Sequence, residues 1–578
     1  MPTEPEWLHN YATDRHDWHK TTSRGRTLFF RRMGIVESLF DNDGSDFEGR
    51  ADLTIHLHVE IKTSSTLQVL RERIFQAWGI LRQEHILLSA SVAEAHDVVP
   101  EDSRYDAHER LFVFEPKLDV DEMLAEARKH TIFLDDHYSD INADDFFLHA
   151  LNSSRGLNAS SALSRLYVMP LEMDSHGLCQ LHLVLIAAHQ ISDGLSFQRW
   201  MANFIEHLNQ TPERLRRSAN DLCVASPAKR LPPAQESLYP PIRGNKARQR
   251  WSWLLSRILR HTRRPPPASF QNPLRRREPL PSAQAMEPRF SKVLNYTHTP
   301  PLNTFPIRAV LGPESTQKLA RICRQAKISV GSGCFALVAM VMMLFEERRN
   351  PHVSSHERPP FVGSFPINPR PFLTASPTTG KEDSLVLAFS DGITLPYLSS
   401  DLDFEGRLRL LSKQAARQLR QYQKRPRNLE EEVHLGSKSQ TQLFPLLYLS
   451  TLERLESRTD AGRKRGWDVQ GEYPAKVGAI PATCGVSSVG ARSSVISSGK
   501  YDTGKLPPMH DVVADFRGLN TTVRARDGEF LVGVVGDGDC LRFQVSYDGC
   551  AIDPTKAQEW KHVLETMLDG KKAPTPRL

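Results

Sequence analysis

Along the 578 residues, apolar positions switch between two rhythms, and the switches mark out elements. Leu53 to Ile61 (LTIHLHVEI) alternates with period two, which predicts a strand. Leu67, Leu70, Ile74, Trp78 and Leu81 then recur at helical spacing, so 67–81 is predicted as a one-sided helix. Leu181 to Ala188 (LHLVLIAA) is nearly continuous, the pattern of a strand covered on both faces. It stops at His189, and a helical pattern resumes after Gly194 with Leu195, Trp200, Phe204 and Leu208. A second patterned half starts near Thr304. Ile307–Leu311 predicts a strand, Ser315–Ala326 a helix with Ser315 as N-cap, and Ser329–Phe345 a buried helix. Its longest apolar run, Cys334 to Phe345, is 12 residues; a membrane span needs roughly 20, so a core helix is expected. Glu405–Gln423 predicts an amphipathic helix, and Thr555–Leu568 a closing one. Phe530–Val535 and Cys540–Tyr547 alternate on either side of Gly536-Asp537-Gly538-Asp539, which predicts a hairpin.

Between the halves the pattern lapses. Ser226 to Pro281 holds 11 prolines and reads as a crossover linker. Inside it, 246–264 places Trp251, Leu254, Leu255, Ile258 and Leu259 among six arginines, a basic amphipathic helix. Such a helix fits a groove on its own protein, an anionic membrane surface or nucleic acid. Packing is the default and peripheral membrane contact the second reading. Nucleic acid is not expected, because no reading module accompanies the charge. The expected division is a flexible N-terminus (1–25), a first α/β subdomain (26–225), the linker (226–300) and a second α/β subdomain (301–578).

Bulk composition changes this picture little. Apolar residues at 39% and charged residues at 25% are ordinary for a globular protein. The net charge of +6 misleads, because 226–281 alone carries 13 Lys/Arg against 2 Asp/Glu and leaves the rest slightly acidic. Seven dispersed cysteines without a C-x-x-C pair argue against a disulfide framework or structural zinc. The N-terminal residues lack a basic segment followed by an apolar one, so a secretory signal is not expected. A cytoplasmic monomer is expected, with peripheral membrane association as the variant.

Candidate chemistry gathers at His189-Gln190-Ile191-Ser192-Asp193-Gly194. A histidine just past a core strand reaches into a cleft from rigid backbone, and its ordinary pKa suits it to base catalysis. Asp193 fits a brace for the loop, and Gly194 a tight turn with positive φ. An isolated histidine at a strand end is also a common structural residue. Other segments add to it: Gln76–Leu88 (QAWGILRQEHILL), Leu319–Ala339, Phe365-Pro366-Ile367-Asn368-Pro369-Arg370, Val486-Ser487-Ser488-Val489-Gly490 and Asp515-Phe516-Arg517-Gly518. In this order, from about Arg31 to Leu568, they resemble the HxxxDG acyltransferase superfamily: alcohol acetyltransferases, plant-type and trichothecene-type acyltransferases, and peptide-synthetase condensation domains. The last segment departs from the plant-type motif by lacking its Gly-Trp-Gly ending.

The resemblance implies two chloramphenicol-acetyltransferase-like α/β subdomains with a tunnel at their interface. It implies His189 as general base, Asp193 as a structural partner of an arginine, for which Arg370 is the candidate, and Ser487 or Ser488 near the oxyanion or substrate. The implied co-substrates are an acyl-CoA and a small hydroxylated or amine acceptor, with no bound cofactor and no metal. A carrier-bound donor forming an ester or amide, and a non-catalytic binding protein of the same fold, are the alternatives. Four other signals are set aside. Gly380–Leu385 has the wrong spacing for a carrier domain, and Gly533–Gly538 sits in a hairpin rather than before a helix. His16/His19 and His56/His58 lack further ligands for zinc.

Overall fold

The computed structural model describes residues 6–569, leaving aside 24, 172, 243, 263–266, 374–382, 424–439 and 476–481. The first half comprises β1 (His19–Ser23), β2 (Arg26–Arg32), α1 (Ile35–Asp46), β3 (Leu53–Thr63), α2 (Leu67–Glu84), β4 (Ser91–Glu94), the single turn α3 (Ala95–Val98) and β5 (Arg110–Phe114). There follow α4 (Val120–Lys129), β6 (Thr131–Phe133), α5 (Ala143–Asn152), β7 (Ser164–Val168), β8 (Leu178–Ala187), α6 (Ser196–Leu208) and α7 (Pro212–Val224). Beyond α8 (Lys246–Thr262), the second half runs β9 (Thr304–Leu311), α9 (Pro313–Gln325), α10 (Val330–Arg349), β10 (Phe361–Ser364), β11 (Pro366–Ile367), β12 (Ala388–Phe389) and β13 (Ile393–Leu395). It continues with α11 (Phe404–Gln423), α12 (Gln440–Arg458), β14 (Cys484–Ala491), β15 (Val512–Val523), β16 (Phe530–Asp537), β17 (Cys540–Asp548) and a terminal helix, Pro554–Thr566.

Two mixed α/β halves result, each built on its own sheet. The first sheet has the order β15-β3-β8-β7-β6, with β3 antiparallel to β8 and Leu57 opposite Leu183. The unbroken apolar run of β8 buries both faces, and Leu183, Val184, Leu185 and Ile186 all lie in the core. Helix α2 starts where Thr66 Oγ1 accepts a hydrogen bond from Val69 N–H, and it buries Leu70, Ile74, Trp78 and Leu81. The second sheet has the order β13-β10-β14-β16-β17-β9. Against it packs α10, long and apolar enough to cross a membrane, yet buried in this core from Cys334 to Met343. Asp537 pairs with Cys540 across a two-residue turn, and Gly538 takes the positive φ (61°) that the turn requires.

Four expectations need correction. Helix α9 starts at Pro313 with Gly312 as N-cap; Ser315 lies within the first turn and its hydroxyl goes to Asp569. Proline at the first helical position sets that earlier start. Residues 6–23 are not a flexible tail, because Trp7 and Tyr11 are buried against Trp253, Tyr239 and Tyr448. Isolated aromatics in a polar stretch have no period, so their docking leaves no local pattern. The proline-rich linker is a strap between the two cores, with Phe270 and Leu274 in the second and Phe290 and Leu294 in the first. Finally, β15 lies beyond residue 301 in the chain yet completes the first sheet, pairing with β3 along its whole length.

Candidate active site

β8 ends at Ala187, and a single 3-10 turn, His189–Ile191, carries the chain off the sheet edge. Gln190, Ile191 and Ser192 are buried, which clamps the turn, while His189 itself is only partly buried. The Phe40 ring of α1 lies flat on the imidazole, with centroids 4.0 Å apart and planes 2° from parallel. Burial pushes the His189 pKa down to about 4; the nearby Arg526 guanidinium lowers it further, and its own carbonyl, Asp193 and the Ser192 carbonyl oppose. Neither carbonyl is aligned well enough to hydrogen-bond the buried Nδ1. The imidazole is therefore neutral at ordinary pH.

Asp193 faces away from that ring. Its Oδ1 accepts the backbone N–H groups of Leu195 (3.0 Å) and Ser196 (3.1 Å) at the start of α6. Arg370 Nη2 donates to Oδ2 at 2.6 Å, and Val386 N–H donates to the same oxygen at 3.1 Å. The start of α6 and the guanidinium thus hold the Asp193 side chain from two sides. Both oxygens are thus occupied, and neither is bonded to His189. Arg370 also donates to the Ser196 hydroxyl (3.1 Å) and the Ser384 carbonyl (2.7 Å), so one buried cation ties the HxxxDG turn to the second half.

The structure brings His189, Asp193 and Arg370 together as one unit. Gly194 is not among the positive-φ residues, and a Cβ there would meet only ordinary contacts with Val489 and Phe197. The expected need for glycine at that turn is corrected. Val489 also shows that the end of β14 lies over the turn. Adjacent strand residues face opposite sides, and Ser488 Oγ packs on Gly331 in the first turn of α10. The pairing of β14 shifts register between Ser488 and Ala491, so strand alternation does not carry from Ser487 across to Val489. The Asp515-to-Gly518 segment is strand, with a bulge at Arg517. Asp515 is an internal brace that accepts Gly499 N–H (2.7 Å) and Tyr501 N–H (3.1 Å).

Sequence patterns missed Phe40 and Arg526. Phe40 reads as one more core residue on α1, whereas Arg526 reaches the site from the loop after β15, with its guanidinium 5.4 Å from the Phe40 ring. Beside them, Val36, Leu385, Leu387 and Phe389 form an apolar wall around Phe40. Of the discounted 380–385 segment, 380–382 lie outside the described residues; Asp383 bonds His85 and Ser384 bonds the Pro233 carbonyl. Among the described residues, Glu94, His96 and His108 alone have metal-ligand spacing, and His96 and His108 are exposed. A cavity of about 130 Å3, lined by Arg32, Asp41, Glu109, Arg110 and Arg463, opens on the face of α1 opposite Phe40.

No family model matches the chain, and no curated protein matches it. Among solved structures, it is similar to the TRI3 trichothecene 15-O-acetyltransferase from Fusarium sporotrichioides, with a TM-score of 0.61 at 14% identity over 96% of this chain and 98% of that one. SgcC5 from Streptomyces globisporus (TM-score 0.49, 14% identity, 94% of this chain and 100% of that one) is a more distant match. So is polyketide synthase associated protein 5 from Mycobacterium tuberculosis (0.47, 13%, 93% and 98%). The first likeness runs essentially end to end, and it is a likeness of fold. The chain has the two-subdomain, chloramphenicol-acetyltransferase-like α/β fold of that O-acetyltransferase.

Proposed function

We propose that this protein is an O-acyltransferase that moves an acyl group from an acyl-CoA to the hydroxyl of a small acceptor. The carrying observation is the state of His189: a neutral, partly accessible imidazole held against Phe40 on a turn braced by Asp193 and Arg370. With Nδ1 buried, Nε2 is the nitrogen left to meet an acceptor. It takes the hydroxyl proton as the oxygen attacks the thioester carbonyl carbon. The tetrahedral intermediate then collapses, the C–S bond breaks, and the thiolate leaves with the proton from the imidazolium. Ester and free thiol are the products, and no acyl-enzyme forms. A general base supplies typically about 10²–10⁴-fold, so positioning and oxyanion stabilisation carry the rest.

Support for moving an acyl group to a hydroxyl comes from the 15-O-acetyltransferase whose fold the chain shares. Thiol release is measured with acetyl-CoA and longer acyl-CoAs over a panel of hydroxylated acceptors, beside the same acyl groups on a carrier protein. The reading expects ester formation with free CoA thioesters and a loss of about 10²-fold or more in His189→Ala with an unchanged melting temperature. Full turnover by that variant refutes His189 as base. Turnover with the carrier-bound donor alone moves the protein to the condensation type.

A further inference from the structure

Helix α8 presents its faces in an unusual order. Trp253, Ser256 and Arg260 form the buried side. Trp253 packs edge-on against Trp7 and Tyr11, and Arg260 pairs with Glu453 of α12 and donates to Gln470 Oε1 at 2.9 Å. The helix is thus firmly seated. Its apolar stripe points the other way: Trp251, Leu254, Leu255, Ile258 and Leu259 are between 41% and 58% exposed. At 100° per residue these five fall within one arc, opposite the buried side. At the C-terminal end, Tyr473, 64% exposed, packs edge-on against His261 and extends the same surface.

We propose that α8 docks the protein on an anionic lipid surface, with this stripe inserted at the level of the headgroups. Five large apolar side chains in one patch of a seated helix are more than scattered surface exposure, and such patches mark contact sites. The charge selects the occupant. On the same wheel Arg248 falls within the stripe and Arg250 just beside it, and the surrounding 226–281 segment carries 13 basic residues against 2 acidic. A second copy would press two such basic segments together, which disfavours self-pairing. An anionic bilayer accepts both features, since the stripe enters the apolar boundary while the cations meet the headgroups. Trp251 and Tyr473, with apolar rings and polar tips, suit that boundary at the two ends of the stripe.

The full chain is centrifuged with phosphatidylcholine vesicles containing about one-third phosphatidylserine, and with phosphatidylcholine alone. The expected result is binding to the anionic vesicles, weakened by salt and by omission of phosphatidylserine. The Leu255→Glu/Leu259→Glu variant should lose about tenfold or more of the partition coefficient, with melting temperature and basal turnover unchanged. Should that variant misfold, Arg248→Glu serves instead, with a loss of about fivefold on anionic vesicles only. Three results would overturn the proposal: vesicle binding equal in wild type and folded variants, no vesicle binding at all, or a wild-type dimer in sedimentation velocity that the variant converts to monomer. Oligonucleotide binding in place of vesicle binding would likewise refute it.

Discussion

His189 is held as a neutral imidazole well below the ordinary histidine pKa, with burial as the main cause. The acid limb of the pH–rate profile should therefore fall near pH 4 instead of near 6.5, which steady-state rates from pH 3.5 to 8 will show. Linkage has the same sign. Below about pH 6.5 the unfolded chain takes a proton on this histidine while the folded chain resists until about pH 4. The stability it contributes is complete above pH 6.5 and is lost as pH falls through that window, so His189→Phe should flatten the acid decline in melting temperature. Gly194→Ala should leave turnover within about twofold, since its φ and surroundings admit a Cβ. Of these residues, the sequence made His189, Asp193 and Arg370 legible because fixed spacing and a charged partner leave a trace. Phe40 left none: its role is an angle between two rings, and an aromatic on a helix looks the same whether it stacks on a base or fills a core.

At the scale of elements, the Asp193–Arg370 contact joins the start of α6 to the turn after β11. Both residues are buried, so Arg370→Ala strands a carboxylate and should cost about 3–5 kcal/mol, measured by denaturant unfolding. Activity should fall with it, and Arg370→Lys should restore part of the stability but not the second contact to Ser196. Strands and helices with strong periodicity, such as β3, β8, α2 and the β16–β17 hairpin, are legible because burial imposes their rhythm locally. The N-terminal aromatics and the strap at 270–294 were not. Their stability comes from docking onto distant cores, and single inserted side chains carry no period.

The two halves of the whole molecule are interlaced rather than adjoining. β15 forms one edge of the first sheet, and removing it bares the backbone of β3 from Leu53 to Thr63. A fragment of residues 1–300 should accordingly be insoluble or molten by near-UV circular dichroism, and co-expression with 301–578 should recover folded protein. Sequence periodicity does not mark β15 as a strand and cannot show which sheet it joins, since partner choice depends on contacts more than four hundred residues apart. That separation sets a timetable. A ribosome finishes β8 and α6 long before it reaches residue 523. At about 5–20 residues per second the open edge of β3 waits roughly 15–60 s for its partner. During synthesis, then, the first half is an aggregation hazard that needs shelter, and codon choice or chaperone supply between α6 and β15 should govern yield more than any single contact in the finished fold.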